Sequence, residues 1–115
     1  MHRSTREVFE AHLAHADNGK VDEDIRENFD ENCVLLTTYG RFEGHAGVRK
    51  AADLLARQLP DARFQYLQKS VAGEIAFLEW TGRGRGAAVH DGADSFLVRN
   101  GKIHVMTIHY TLHPE

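Results

Sequence analysis

Cysteine and long apolar runs are scarce in this sequence, and each scarcity excludes a class of protein. The single cysteine, Cys33, excludes an intramolecular disulfide and a cysteine-based zinc site. No apolar run exceeds four residues, which is too short to span a bilayer. The polar start, Met1 to Glu7, lacks the apolar stretch of a secretory signal. We therefore expect a soluble, cytoplasmic protein with no membrane partner.

Positive charge is also in short supply, with 14 Lys and Arg against 17 Asp and Glu and a net charge of −3. Because phosphate contacts need clustered cations, we expect no nucleic-acid partner. The one glycine- and arginine-rich stretch, Gly82 to Gly86, is interpreted as a hairpin loop. A chain of 115 residues has room for one core, so residues 1–115 are predicted to form a single domain.

Histidine, in contrast, is abundant, with eight copies that raise the question of a metal site. His12 and His15 are neighbours on a predicted helix, but no H-E-x-x-H motif or cysteine cluster accompanies them. His109 and His113 lie too far apart along a strand to chelate one ion together. We therefore expect neither a metal nor another cofactor.

The first helix is predicted by local signals at both ends. Ser4 and Glu7 have the spacing of a capping box, which satisfies free N–H groups where a helix begins. Apolar residues then recur at helical spacing, and Asn18-Gly19 ends the pattern because both residues tolerate a left-handed conformation. The predicted helix covers about Thr5 to Asp17.

Two more helices and a strand are predicted before the middle of the chain. Asp22 is a possible cap for a short second helix, and the β-branched segment Cys33 to Tyr39 is typical of a strand. Gly40 to Gly44 is interpreted as a connection. A third helix begins near Gly44, shows a clear period of 3.6 residues, and ends at Pro60.

The second half of the chain changes to a period of two, which is typical of strands. The four predicted strands are Arg63 to Val71, Glu74 to Thr81, Ala87 to Val98 and Lys102 to Leu112. Asn100-Gly101, between the last two, is the strongest hairpin signal in the chain. Helices followed by an antiparallel meander predict an α+β domain.

Four segments that carry recurrent motifs follow one another along nearly the whole chain: Asp17 to Gly19, Asn28 to Leu36, Phe42 to Val48 and Asp94 to Ile103. The last one reads D-x-F-x-V-x-x-G-K-I. Their order and spacing resemble the nuclear transport factor 2-like superfamily, which includes ketosteroid isomerase and the SnoaL-like polyketide cyclases. The resemblance implies a cone-shaped roll, in which three N-terminal helices pack on a strongly bent, mainly antiparallel sheet around an internal apolar pocket. It also implies a homodimer formed through the outer face of the sheet.

Asp94 is the first candidate for a catalytic role. Strand alternation places it on one face with Phe96 and Val98, where a carboxyl is costly to ionise and its pKa should rise. Such a group is a hydrogen-bond donor at neutral pH, and the resemblance places Asp94 at the oxyanion-hole aspartate of ketosteroid isomerase. The alternative is a strand-end carboxylate that faces solvent or pairs with an arginine.

His12 is the second candidate. The resemblance places it where ketosteroid isomerase carries its oxyanion-hole tyrosine, and an imidazole there can donate a hydrogen bond or transfer a proton near neutral pH. The alternative is a chemically idle histidine at the edge of the buried stripe of the helix.

His90 and Tyr39 are weaker candidates for assisting roles. His90 shares strand parity with Asp94 but lies roughly 13 Å away along an extended strand, so a direct contact would need a bulge at Asp91-Gly92. A solvent-facing histidine is the alternative. Tyr39 is either a replacement hydrogen-bond donor or an amphipathic wall residue.

Two positions depart from the enzymes of the superfamily. The general base of ketosteroid isomerase falls near Thr37, and the catalytic aspartate of the cyclases falls near Ile108; neither residue is acidic here. The predicted pocket-lining residues are Phe9, Thr37, Trp80, Phe96, Met106, Ile108 and Tyr110. The opposite face of the last strand, with Val105, Thr107, His109 and Thr111, is predicted to form the dimer contact.

Three functions remain open on this basis. The first is a cofactor-independent isomerase, cyclase or lyase that uses acid–base chemistry on an apolar, ring-containing small molecule. The second is a binding module that holds such a ligand without chemistry, and the third is a protein-interaction domain of the same fold. The histidines favour the first function, while Thr37 and Ile108 favour the other two.

Overall fold

Three helices pack on a curved seven-stranded sheet in the computed structural model, which describes residues 2–115. The helices are α1 (Thr5–Asp17), α2 (Val21–Asn28) and α3 (Gly44–Gln58). The strands are β1 (Phe29–Thr37), β2 (Gly40–Glu43), β3 (Arg63–Ala72), β4 (Ile75–Gly84), β5 (Ala87–Arg99), β6 (Lys102–His109) and β7 (His113–Pro114).

Helix α1 has the predicted bounds because its ends are fixed by local contacts. The Ser4 side chain accepts a hydrogen bond from the Glu7 backbone N–H, and the Glu7 carboxylate accepts one from the Ser4 N–H, which completes the capping box. After Asn18, Gly19 adopts a φ of +66°, which an L-residue rarely does, and the helix ends. The prediction of this helix is confirmed.

The sheet has the strand order β2-β1-β6-β5-β4-β3, and β7 adds to one end of β5. Neighbouring strands are antiparallel except β1 and β6, which are parallel. Irregular registers interrupt the β3–β4, β4–β5 and β5–β6 ladders, and such bulges bend and twist a sheet. The predicted fold class, α+β with helices on a bent and mainly antiparallel sheet, is confirmed.

Several strands begin or end at residues other than the predicted ones, because pairing with neighbouring strands sets their length. Strand β1 begins earlier, at Phe29, and ends at Thr37. Gly40–Glu43, expected to be a connection, pairs with β1 as strand β2. The Gly82 to Gly86 stretch is only partly a loop, because β4 continues to Gly84 and pairs with the start of β5. Long-range hydrogen bonds thus extend strands through residues of low strand propensity.

The core lies between the helices and the concave face of the sheet. Helix α1 crosses β3, β4 and β5, while α3 packs on β1 and β2. Phe9, Leu35, Phe96 and Ile103 are completely or almost completely buried in this layer. None of the helices in residues 2–115 has the length and apolar character needed to cross a membrane.

Candidate functional site

A cavity of about 360 Å³ lies between the three helices and the concave face of the sheet. Its walls are mostly aliphatic and aromatic side chains. The ionisable groups on its walls are His12, three carboxyl groups (Asp24, Asp61 and Asp94) and three tyrosines, with no lysine or arginine among the lining residues of the described chain. The volume suits a small organic ligand.

His12 and Asp24 form a buried pair at the wall of this cavity. His12 Nδ1 lies 2.8 Å from Asp24 Oδ2, and both side chains are almost completely buried. Since a carboxylate oxygen only accepts, Nδ1 donates and the neutral ring carries its free lone pair on Nε2. Within residues 2–115, every buried side-chain nitrogen and oxygen has a hydrogen-bond partner. His12 Nε2 has no such partner in this part of the chain, so this atom is not buried. Nε2 is therefore accessible from the cavity.

The position of the His12 ring is fixed by aromatic neighbours as well. Phe29 and Phe96 contact it edge-on, with ring centroids 5.5 and 5.4 Å from that of the imidazole. Burial alone lowers the pKa of His12, but the Asp24 carboxylate, helped by Asp94, outweighs it and raises the pKa above the ordinary 6.5. The imidazolium therefore persists toward neutral pH, and the ring can act as an acid or a base there.

Asp94 faces the same cavity from strand β5 and is 7% exposed. Its Oδ1 accepts a hydrogen bond of 3.0 Å from the Trp80 indole N–H. Burial raises the pKa of Asp94 to about 7, although the Trp80 bond and the nearby His12 oppose this rise. This rise favours the neutral form of Asp94 at a higher pH than usual, and a neutral carboxyl can donate a hydrogen bond.

Gly92 makes room for the indole that holds Asp94. Trp80 and Gly92 are direct cross-strand partners, and a Cβ at position 92 would lie 2.3 Å from two carbons of the Trp80 ring. Only glycine lets the indole lie flat over β5 and direct its N–H to the carboxyl.

The expectation that His90 faces the cavity beside Asp94 is wrong. Between the pairs Trp80–Gly92 and Gly82–Val89, strand β4 advances by two residues and β5 by three. This bulge leaves His90 exposed on the far side of the strand, where its ring stacks on His113 at a centroid distance of 5.2 Å. A bulge was foreseen as the way to join His90 to Asp94, but it separates the two residues.

The aromatic residues Phe9 and Phe96 also differ from expectation, since neither lines the cavity. Both are buried, with their ring centroids 5.2 Å apart, and the Phe96 ring contacts the imidazole of His12. The other five predicted lining residues do face the cavity: Thr37, Trp80, Met106, Ile108 and Tyr110. Thr37 and Ile108 are direct partners in the parallel ladder, so the two non-acidic positions are adjacent.

Tyr39 lines the cavity at an exposed edge, with 43% of its surface accessible. Its ring packs on Tyr110, Tyr110 on Trp80, and Trp80 on Phe64, at centroid distances of 5.4, 5.7 and 5.6 Å. These four rings form one wall, which we call the aromatic wall. Its faces offer a flat apolar ligand a large contact area.

Sequence reasoning missed the polar groups Asp24 and Tyr66. Asp24 was overlooked among the acidic residues that open α2, although its spacing from Asn28 puts both on one side of that helix. Tyr66 lines the cavity and donates to Asp17 Oδ1 at 2.9 Å, and burial raises its pKa above the usual range. Tyr110, which was predicted to line the pocket, donates to Gln58 Oε1, and burial raises the pKa of Tyr110 to about 12.

No group of three histidine, cysteine, aspartate or glutamate side chains in residues 2–115 has the geometry to hold a metal ion. What the site does contain is the His12–Asp24 pair and the buried Asp94 carboxyl, whose pKa is raised, on a largely apolar cavity. That arrangement can move a proton and donate a hydrogen bond.

Comparison with known proteins places the chain in a family. The model of the SnoaL-like domain matches residues 9–106, which is most of the chain. The chain belongs to the SnoaL-like domain family. A search of curated proteins finds no match to this SnoaL-like chain.

Solved structures share the fold at low sequence identity. A candidate ketosteroid isomerase from Kribbella flavida is 15% identical, with 96% of this chain and 80% of that chain covered and a TM-score of 0.78. A candidate polyketide cyclase from Sinorhizobium meliloti is 17% identical, with 89% and 93% covered and a TM-score of 0.74. TerC, crystallised with polyporic acid, is 18% identical, with 93% and 91% covered and a TM-score of 0.77. These likenesses establish the fold, and the chemistry must be argued from the site.

Proposed function

We propose that this SnoaL-like domain is a cofactor-independent enzyme that uses acid–base chemistry on a neutral, ring-containing small molecule bearing an oxygen substituent. The observation that carries the proposal is the convergence of the His12–Asp24 pair and the buried Asp94 carboxyl on one apolar cavity. Two proton-active groups with shifted pKa values in such a cleft are typical of an active site.

The two groups divide the chemistry between them. Neutral Asp94 donates a hydrogen bond to a carbonyl, phenol or epoxide oxygen of the ligand, where negative charge develops. His12 Nε2 takes or returns a proton at a neighbouring carbon or oxygen, and Asp24 stabilises the imidazolium that forms. Because the cavity is largely apolar, both interactions act away from bulk water and are strengthened.

The cavity also limits the class of substrate. The aromatic wall offers its faces to a flat ring, and the absence of lysine and arginine from the described lining disfavours carboxylates and phosphates. Structural neighbours named as a ketosteroid isomerase and a polyketide cyclase support a cyclic ketone or phenol as substrate. The reactions that fit are isomerisation, cyclisation and dehydration.

The experiment begins with ligand discovery and then tests His12 and Asp94. Cyclic ketones, phenols and epoxides are screened for a rise in melting temperature, and hits are followed for turnover by NMR or mass spectrometry. His12→Gln and Asp94→Asn should each lower turnover by about 10²–10³-fold, the usual effect of removing one such donor.

His15→Gln is the matched control variant. His15 lies on the same helix and makes a similar pair with Glu27, at 2.8 Å, but it does not line the cavity. Its removal should leave turnover unchanged. Equal turnover in wild type, His12→Gln and Asp94→Asn would show that the two groups are structural.

A second candidate function is a non-catalytic binding module. It is favoured by Thr37 and Ile108, which leave the row of strand residues beside Asp94 without a second carboxylate. The same screen separates the two proposals, because a binding module would bind ring compounds and return them unchanged.

We also propose a homodimer through the outer face of the sheet. Outward-facing apolar residues are aligned across neighbouring strands there: Val34, Val105, Leu97 and Ile75. Leu36 and Ile75 are 48% and 50% exposed, and a continuous apolar patch of this kind favours a partner surface. For the location of the protein we propose the cytoplasm, where the free, buried thiol of Cys33 would stay reduced.

A further inference from the structure

A chain of hydrogen bonds leads from the surface of the molecule to His12. Arg3, just before helix α1, donates from Nη1 to Asn28 Oδ1 at 2.8 Å. Asn28 Nδ2 donates to Asp24 Oδ1 at 2.8 Å, and Asp24 Oδ2 accepts from His12 Nδ1 at 2.8 Å. Asn28 is completely buried, so a second orientation of its amide would leave polar atoms without partners.

The direction of each bond follows from the first one. A guanidinium only donates, so the Asn28 oxygen must face Arg3 and the Asn28 NH₂ must face Asp24. With one carboxylate oxygen held by that NH₂, the other is directed at His12 Nδ1. The neutral imidazole then carries its proton on Nδ1 and its lone pair on Nε2, toward the cavity.

Arg3 is itself held in place by two carbonyls. Its Nη2 donates to the Glu27 carbonyl at 2.7 Å, at the end of α2, and to the Gly101 carbonyl at 2.9 Å, in the turn between β5 and β6. A lysine, with a single charged nitrogen, could not span these acceptors in a fixed fork. The guanidinium therefore presents Nη1 to Asn28 in one orientation.

We propose that Arg3 and Asn28 are positioning residues that fix the tautomer of His12 through Asp24. The proposal rests on the proposed function, in which the lone pair on Nε2 is the base. The charged or titratable groups around His12 are Asp24 from α2 and Asp94 from β5. Among residues 2–115, only Asp24 is hydrogen-bonded to the ring, so its orientation decides which nitrogen keeps the proton.

The test reads the tautomer of His12 directly in the free protein. The ¹⁵N chemical shifts of the ring are recorded by NMR at alkaline pH, where the neutral ring dominates, together with the solvent-exchange rate of the Nδ1 proton. Wild type should show the Nδ1–H tautomer. Arg3→Ala and Arg3→Gln should show a mixture of tautomers and exchange that is faster by roughly two- to tenfold, the factor that one hydrogen bond is worth.

Lys102→Ala is the matched control variant. Lys102 Nζ also donates to the Glu27 carbonyl, at 2.8 Å, but makes no bond to Asn28. Loss of this cation should leave the His12 spectrum as in wild type. A wild-type spectrum in both Arg3 variants, or the same change in Lys102→Ala, would overturn the proposal.

The measurement needs no substrate, so it separates this inference from the proposed reaction. A chain with the expected tautomers and no turnover of any ring compound would refute the proposed function alone. A chain with turnover and an unchanged tautomer in Arg3→Ala would refute the positioning role alone.

Discussion

Replacing Asp94 with asparagine should stabilise the folded protein, and the gain should grow as the pH rises from about 4 to about 7. Asparagine has nearly the shape of aspartate, and its side-chain oxygen can still accept the Trp80 N–H bond. What changes is that the buried group can no longer ionise. The variant therefore isolates the free energy that the protein spends on keeping a carboxyl in an apolar cavity.

The magnitude follows from the rise of the pKa of Asp94 from 3.8 to about 7. Between these two pH values Asp94 is protonated in the folded protein and ionised in the unfolded chain. Unfolding therefore releases a proton, and a rise in pH favours the unfolded state. At about 1.4 kcal/mol for each pH unit, wild type loses roughly 4 kcal/mol of unfolding free energy between pH 4 and pH 8 through this group. The variant loses none of it.

His12 reduces this gain without reversing it. Its pKa is raised in the folded protein, partly by Asp94, so it contributes stability that is present below pH 6.5 and is lost as pH rises through the folded-state pKa. Asp94→Asn lacks the carboxylate, so it loses the share of the His12 stabilisation that Asp94 provides. Because the two groups titrate as a coupled pair, the measured difference belongs to the pair.

Urea denaturation at a series of pH values from 4 to 9 measures the effect. The difference in unfolding free energy between Asp94→Asn and wild type should be near zero at pH 4 and reach up to about 4 kcal/mol at pH 8, a large share of the stability of a small domain. Asp53→Asn, at an exposed position of α3, should match wild type throughout. A difference that is the same at pH 5 and pH 8 would refute the reasoning, because Asp94 would then be ionised at its ordinary pKa.

Three further outcomes are expected from the packing. Gly92→Ala should destabilise the fold by about 1–3 kcal/mol, because the new methyl group would collide with the indole of Trp80. The fluorescence of Trp80, the single tryptophan, should change as well, and unaltered emission would contradict this prediction. Phe96→Ala should lower the unfolding free energy by about 3–5 kcal/mol in urea, since the ring is fully buried beneath His12, and a loss below about 1 kcal/mol would show that the ring is dispensable. Val105→Asp should yield a monomer in sedimentation velocity where wild type is a dimer, and a wild-type monomer at micromolar concentration would dismiss the proposed interface.

Elements that depend on contacts close in sequence were predictable. Helix α1 has its predicted bounds because the Ser4–Glu7 box and Gly19 act within one turn of its ends. The alternation around Asp94 identified a carboxyl on an apolar strand face, and Asp94 itself does line the cavity. Both signals are local, since the period of a helix or strand is set by the backbone itself.

Features that depend on distant partners were decided by the tertiary structure. The bulge that turns His90 outward arises from the register between β4 and β5, where one strand gains a residue over the other. Phe9 and Phe96 are buried in the core and do not line the cavity because of the way α1 packs on the curved sheet. The pairing of Asp24 with His12 joins two helices, and no spacing along the chain encodes that distance. The sequence by itself therefore determined which residues share a face wherever a helix or strand is regular. Tertiary packing decided which faces meet, because contact across elements depends on crossing geometry and register that local periodicity does not contain.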